Sequence, residues 1–214
     1  MYRASYLASL LLLTLLFAGA ATAQEEVRTL DYRVFAGGAE KLHVDLSFGD
    51  LTVEGGDVRD VEVEVVFSCS RQNLAKCERQ ADKIRLQPRV YGKTLDVQLQ
   101  RTPRGRLHGI SARMKLTVPR RLAVEVDARA GDVLVSNMAS DVEVDVGAGD
   151  VDLGHRQSLV GTVKVDVGVG NADLWLDDSR IEATGFPRSL TWRGSGAAKI
   201  EVDVGTGDVA VRLE

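Results

Sequence analysis

Four gapless copies of one short pattern constrain this chain more than any other feature. Asp127-Ala-Arg-Ala-Gly-Asp-Val-Leu-Val135, Asp145-Val-Gly-Ala-Gly-Asp-Val-Asp-Leu153, Asp166-Val-Gly-Val-Gly-Asn-Ala-Asp-Leu174 and Asp203-Val-Gly-Thr-Gly-Asp-Val-Ala-Val211 align on the glycines at 131, 149, 170 and 207. Ser47-Phe-Gly-Asp-Leu-Thr-Val53 is a looser, earlier copy. Strict alternation precedes the copies, as in Val142-Glu-Val-Asp-Val146, Val163-Lys-Val-Asp-Val167 and Ile200-Glu-Val-Asp-Val204. Alternating β-branched and charged residues mark a strand buried on one face. The Gly-x-Gly-Asp that follows supplies positive φ and an Asp able to accept from nearby backbone N–H groups, so each unit is strand, tight bend, strand.

One such unit cannot bury its own Val face, whereas stacked copies share a continuous core. The first two glycine spacings, 18 and 21 residues, are the size of a β-solenoid coil. The expected fold is therefore all-β: a parallel β-helix-like solenoid of Gly-Asp-Val turn repeats. The third spacing, 37 residues, would hold two shorter coils if Gly194-Ser-Gly-Ala-Ala-Lys-Ile200 is a degenerate copy.

The first half is less regular. Leu42-His-Val-Asp-Leu46, Val61–Val66, Leu95-Asp-Val-Gln-Leu99 and Met114–Val118 alternate like strands, with turn signals at Gly37-Gly38, Gly55-Gly56 and Tyr91-Gly92. Between Arg71 and Leu86 the period changes, placing Leu74, Cys77, Ala81 and Ile84 on one helical face, which predicts a short helical insert over 71–86. No Pro- or Ser-rich linker separates the halves. Residues 24–118 read as an irregular N-terminal part and 119–214 as the repeat part of one β domain.

Val118-Pro119, then Leu122-Ala-Val-Glu-Val-Asp127, then the four Gly-Asp or Gly-Asn turns and the looser Gly49-Asp50 resemble the bacterial putative-adhesin, or toastrack, domain family. The likeness covers roughly residues 40–214 and rests on recurrence in register. It implies a β-solenoid-like fold in an exported or envelope-associated protein, with adhesion or envelope-stress sensing as roles, and it brings no catalytic residues. The helical insert and its two Cys depart from the family pattern.

Residues 1–23 have the form of a secretory signal peptide: Arg3, an apolar run from Leu7 to Phe17, and Ala21-Thr22-Ala23 as the cleavage end. That run is too short to span a bilayer and no later stretch approaches the required length, so no transmembrane anchor is expected. Export leads to the periplasm or the cell surface. There Cys69 and Cys77, an even pair, are expected to form a disulfide. Two Cys without a nearby His do not make a metal site, and their spacing is not that of a Cys-x-x-Cys redox pair.

A formal charge of −4 with 5% aromatic residues argues against nucleic acid as a partner. The expected partner is an envelope protein or a glycan, and no cofactor is implied. In stacked register Asp127, Asp145, Asp166 and Asp203 would form an outward ladder, with Asp50, Asp132, Asp150, Asn171 and Asp208 as a second ladder along the bend. Calcium would relieve carboxylates at strand spacing. Calcium-binding solenoid repeats, however, read Gly-Gly-x-Gly-x-Asp every nine residues. The simpler reading has one ladder solvated and the other capping turns.

The alternative function is a polysaccharide-active enzyme on a β-helix scaffold, but these Asp occupy equivalent places, and catalytic residues should break a repeat. His43, His108 and His155 are scattered. Gly194-Ser195-Gly196 lacks the outer spacing of a nucleophile elbow, and Gly147-Ala-Gly149 and Gly168-Val-Gly170 lack the third Gly of a dinucleotide loop. Arg101-Thr-Pro-Arg104-Gly-Arg106-Leu-His108, with Arg113, Arg120 and Arg121, is the one basic concentration and the candidate contact for anionic lipid or glycan. Trp175 and Trp192 are candidates for sugar stacking or for packing at a stack end. An uncapped end strand would favour self-association, with Arg212 and Glu214 as the candidate cap.

Overall fold

The computed structural model describes residues 24–101 and 109–214; the segment read as a signal peptide and the basic run from the Arg101 side chain to His108 lie outside them. Among the described residues the fold is all-β with one short α-helix, and the strands, numbered along the sequence, form two open mixed sheets. Sheet 1 has the spatial order β15 (Arg188–Arg193), β12 (Val160–Val169), β16 (Ala198–Thr206), β10 (Val142–Ala148), β8 (Ala123–Ala130), β2 (Lys41–Leu46), β6 (Thr94–Arg101), β5 (Ile84–Tyr91). Sheet 2 runs β1 (Gln24–Val34), β4 (Val61–Ser70), β7 (Ile110–Pro119), β3 (Asp50–Gly56), β9 (Val133–Met138), β11 (Val151–His155), β17 (Val209–Leu213), β13 (Ala172–Leu176), β14 (Ser179–Glu182).

The alternation decides which way each strand faces. Val142, Val144 and Val146 on β10, with Ile200, Val202 and Val204 on β16, point inward and are buried, as are Val151 and Leu153 on β11 and Val209 and Val211 on β17. Each such side chain contributes about 1.5–3 kcal/mol relative to exposure. The central strands are all parallel. In sheet 1, β6, β2, β8, β10, β16 and β12 pair without slippage at the shared Asp positions, and β7, β3, β9, β11, β17 and β13 follow the same order in sheet 2. At the Gly-Asp bends the backbones of neighbouring copies almost touch. A Cβ built on Gly149 would lie 2.1 Å from the Gly131 oxygen, and one on Gly207 would lie 1.9 Å from the Gly149 oxygen.

The copies do not stack in chain order. The last copy, β16 and β17, slots between the copy of β10–β11 and that of β12–β13. The 37-residue spacing therefore holds no additional coils. It holds β14 and β15, which pair antiparallel with β13 and β12 and form the outer edge of each sheet, and Gly194–Ala197 is the bend that returns the chain inward to β16. At the other end β4 and β1 pair antiparallel on β7, and β5 pairs antiparallel on β6. Arg212 and Glu214 consequently cap no end. They close a central strand, with the Glu214 N–H donating to the His155 oxygen.

The helix is shorter than its periodicity predicts. α1 covers Leu74–Ala81 after a single 3-10 turn at Arg71–Asn73. Ile84, which fits the helical face, instead faces inward from β5 together with Leu86, where pairing with Arg101 and Leu99 captures them. Cys77 on α1 is disulfide-bonded to Cys69 on β4, with Cα atoms 5.9 Å apart.

Candidate functional site

The outer face of sheet 1 gathers the carboxylates that the repeat scatters along the chain. Parallel pairing sets Asp45, Asp127, Asp145, Asp203 and Asp166 side by side in that spatial order. Two residues earlier on the same face runs a second row: His43, Glu125, Glu143, Glu201 and Lys164. At strand spacing of about 4.8 Å, neighbouring carboxylates repel by about 0.9 kcal/mol in water and several-fold more beside protein.

Counter-charges sit at the two ends of this face. At one, Lys164 Nζ lies 2.8 Å from Glu201 and 2.9 Å from Asp166, and these contacts raise its pKa. A hydrogen bond from Ser189, then one from Lys164, hold the Asp166 carboxyl below its usual value. Asp203 goes the other way: burial, then the charges of Asp166, Glu201 and Asp145, push it up against the pull of Lys164.

At the opposite end, His43 Nδ1 lies 2.8 Å from Asp96 Oδ1 and Nε2 lies 2.9 Å from Asp127 Oδ2. Burial lowers the His43 pKa, but these hydrogen bonds and the charges of Glu125 and Asp127 outweigh it and raise the value above 6.5. Lys41 pairs with Glu125 and lies 3.9 Å from Glu143. His43, Glu125 and Asp127 place three ligand-type atoms within 4.8 Å of one another, a donor set suited to a divalent cation. Both ring nitrogens are already engaged by carboxylates, which is the arrangement of an ion-paired imidazole.

The bend ladder does different work. Asp50 Oδ1 accepts the Asp132 N–H at 3.3 Å, Asp132 accepts that of Asp150 at 2.9 Å, Asp150 that of Asp208 at 2.8 Å, and Asp208 that of Asn171 at 2.7 Å. Arg188 ends the series on Asn171 Oδ1 at 2.7 Å. Each carboxylate thus satisfies a backbone donor of the neighbouring copy.

Among the other sequence candidates, Arg113 pairs with Glu26 at 3.0 Å. Trp175, on β13 beside the edge, carries the Arg180 guanidinium 4.5 Å from its ring centre, and Trp192 packs half-buried on edge strand β15. Two members of the acidic face escape sequence reasoning: Asp45, hidden in an irregular first half, and Asp96, which meets His43 only through the pairing of β6 with β2.

No protein-family model and no curated protein matches the sequence. Solved structures do. A "putative cell adhesion protein" from Clostridium sporogenes superimposes with a TM-score of 0.52 at 15% identity, covering 89% of this chain and all of that one. This is the toastrack-type adhesin fold. This chain is also similar, at lower TM-scores, to a "putative adhesin" from Bacteroides fragilis (0.34, 12% identity, 89% of this chain and 98% of that one) and a "putative lipid binding protein" from Parabacteroides distasonis (0.27, 10% identity, 87% and 96%).

Proposed function

We propose that this protein is a non-enzymatic, exported cell-envelope module, adhesin-like or envelope-stress-related, that binds an envelope protein or glycan. In this reading its parallel centre is a β-solenoid of two strands per coil, and the acidic outer face of sheet 1 is its binding surface. The register-stacked carboxylates carry the reading. They form a flat, charged face built from structurally equivalent positions, which suits docking of a cationic surface and not turnover, since catalysis needs groups in unlike environments. The names of the solved adhesins agree with such a role. Among the described residues no helix is long and apolar enough to cross a membrane, so residence in the envelope rests on the leader at 1–23.

Crosslinking of the tagged full-length protein in cells, followed by mass spectrometry of the envelope fraction, tests this. The expected result is a chain beginning after Ala23, crosslinked to one dominant envelope component, with the crosslink lost in Glu143→Gln/Asp145→Asn and weakened by salt. An uncleaved chain in the cytosol would overturn export. Turnover of a uronic-acid polymer by the purified protein would replace the binding reading with the enzymatic one.

A further inference from the structure

Catalytic or ligand-binding residues on a repeat scaffold should lie where the repeat is broken, and the clearest break is on sheet 2, away from the acidic face. Pairing of β9 with β11 is regular through Val135 and Leu153 and then slips, so that His155 meets Met138. Ser136 and Asn137 bulge opposite the single Gly154. Asn137 is held at φ 59°, the one non-glycine residue with positive φ among the described residues. Such bulges and backbone outliers concentrate at functional sites. Gly154 occupies the repeat position that Arg212 fills on β17 and Trp175 fills on β13, and a Cβ built there would meet nothing within 4 Å. The bulge and the missing side chain together open a cleft of about 510 Å3 at the ends of β9, β11 and β17.

Three guanidinium-bearing residues line this cleft: Arg120, Arg156 and Arg212. Arg212 is steadied from outside by Asp152. Arg120 Nε is buried and lies 3.5 Å from Oδ1 of the exposed Asp57 without a hydrogen bond to protein. The Arg156 guanidinium is exposed and makes no ion pair or hydrogen bond among the described residues. Glu214 is the one carboxylate among the lining residues.

The walls are fixed in place. Buried His155 has its ring nitrogens 3.3 Å from the Ser140 and Arg156 oxygens, the Ala139 N–H donates to the Arg120 oxygen at 2.9 Å, and the Gln157 N–H donates to the Glu214 oxygen at 2.7 Å. Arginines around a small cleft present forked N–H donors of the kind that bind oxyanions. Asp152 and Asp57 face Arg212 and Arg120 from outside, so Arg156 is the cation of the cleft without a carboxylate partner among the described residues, and the guanidinium donors suit the several acceptor oxygens of a phosphate monoester.

We propose that the cleft between the ends of β9, β11 and β17 binds a phosphate monoester, with Arg156 as the principal ligand, Arg120 and Arg212 completing the cage, and the attached group filling the remaining volume. This site is independent of the acidic face and of the adhesin-like role.

Amide NMR titrations of the mature protein with inorganic phosphate and with glycerol phosphate test it, beside co-sedimentation with phosphatidylcholine vesicles with and without phosphatidic acid. Saturable shifts at Asn137, Met138 and Arg156 are expected. Arg156→Gln should weaken binding by about tenfold or more without lowering Tm, because its side chain holds no structural partner. Glu214→Gln should tighten binding. Saturation by the soluble esters alone identifies a soluble ligand, and additional sedimentation only with phosphatidic acid identifies a lipid headgroup; both support the site. No saturable shift at tens of millimolar phosphate, or affinity unchanged in both Arg156→Gln and Arg120→Gln, would overturn it.

Discussion

Asp166 and Asp203 stand opposite one another in register on β12 and β16, and their carboxyls shift in opposite directions. Ser189 and Lys164 serve Asp166, whereas Asp203 is partly buried among Asp166, Glu201 and Asp145. The folded pKa of Asp166 lies below its unfolded value, so its stabilisation is present above about pH 4 and is lost as pH falls through the folded value. Asp203 has the reverse sign, penalising the fold at neutral pH and ceasing to do so once acid protonates it in both states. Asp203→Asn should therefore stabilise the fold at pH 7 and Asp166→Asn should destabilise it, each by no more than about 1 kcal/mol for groups this accessible. Both differences should shrink towards pH 3. Thermal unfolding of the two variants at pH 7 and pH 3 checks this; changes of the same sign would contradict the assignment of charges on this face.

His43 gives the pH dependence of the opposite limb. Its folded pKa is raised, so the bridge to Asp96 and Asp127 contributes fully below about pH 6.5 and fades as pH rises through the folded value. His43→Gln should cost about 1–3 kcal/mol at pH 5.5, in the range of hydrogen bonds to charged groups, and much less at pH 9. Urea unfolding at both values measures it. A cost that does not change with pH would mean that the imidazole acts by packing alone.

The bends separate two contributions. Gly207 has φ 148° and a Cβ there would lie 1.9 Å from the Gly149 oxygen, a backbone atom that cannot swing aside. Gly207→Ala should cost about 2–4 kcal/mol, while Asp150→Ala, which removes the acceptor 2.8 Å from the Asp208 N–H, should cost about 1 kcal/mol. Gly154→Ala is the control, expected to be near neutral because its Cβ enters open space. Calorimetry ranks the three, and equal losses at Gly207 and Gly154 would refute the close-approach argument.

How much of this was legible beforehand depends on the range of each signal. Alternation in Val142–Val146 or Ile200–Val204 declares a one-sided strand within five residues, and Gly-Asp declares the bend, because both causes are local. The helix ends before its periodicity does because Ile84 satisfies the helical and the strand period at once, and only the partner strand β6 decides between them. Edge strand β14 is exposed at every position and so carries no alternation at all. Asp45, Asp96 and the bulge at Ser136–Asn137 became visible only through register, a property of pairs of strands distant in sequence. The order of the copies is less local still, since nothing in residues 171–206 records which neighbours β16 will choose.

The disulfide should act locally. Cys69 and Cys77 close a loop of eight residues, worth about 2–3 kcal/mol in the chain-entropy account. α1 has a second tie, since the Arg28 guanidinium donates to the Ala81 oxygen and, at 3.0 Å, to the Ile84 oxygen. Reduction should lower Tm modestly and speed amide exchange in 71–82, and Arg28→Ala with reduction should release that segment while the sheets persist. Loss of all β signal on reduction would show that the insert is part of the main cooperative unit.

The insertion of the last copy makes a strong prediction about truncation. In a stack that follows chain order, removing the final copy strips an end and leaves a shorter folded stack, because each repeat contacts only its neighbours. Here β16 hydrogen-bonds both β10 and β12, and β17 both β11 and β13. A chain ending at Arg193 would therefore lose a central strand from each sheet, together with the buried Ile200, Val202, Val204, Val209 and Val211. That leaves β12–β15 detached from the remainder and two hydrophobic strand edges bare, a condition that favours unfolding or aggregation. Residues 24–193 should show no cooperative urea transition, and a synthetic peptide of residues 194–214 should restore one. A cooperative transition in 24–193 alone would mean that β12 can close directly onto β10 and that the insertion is dispensable.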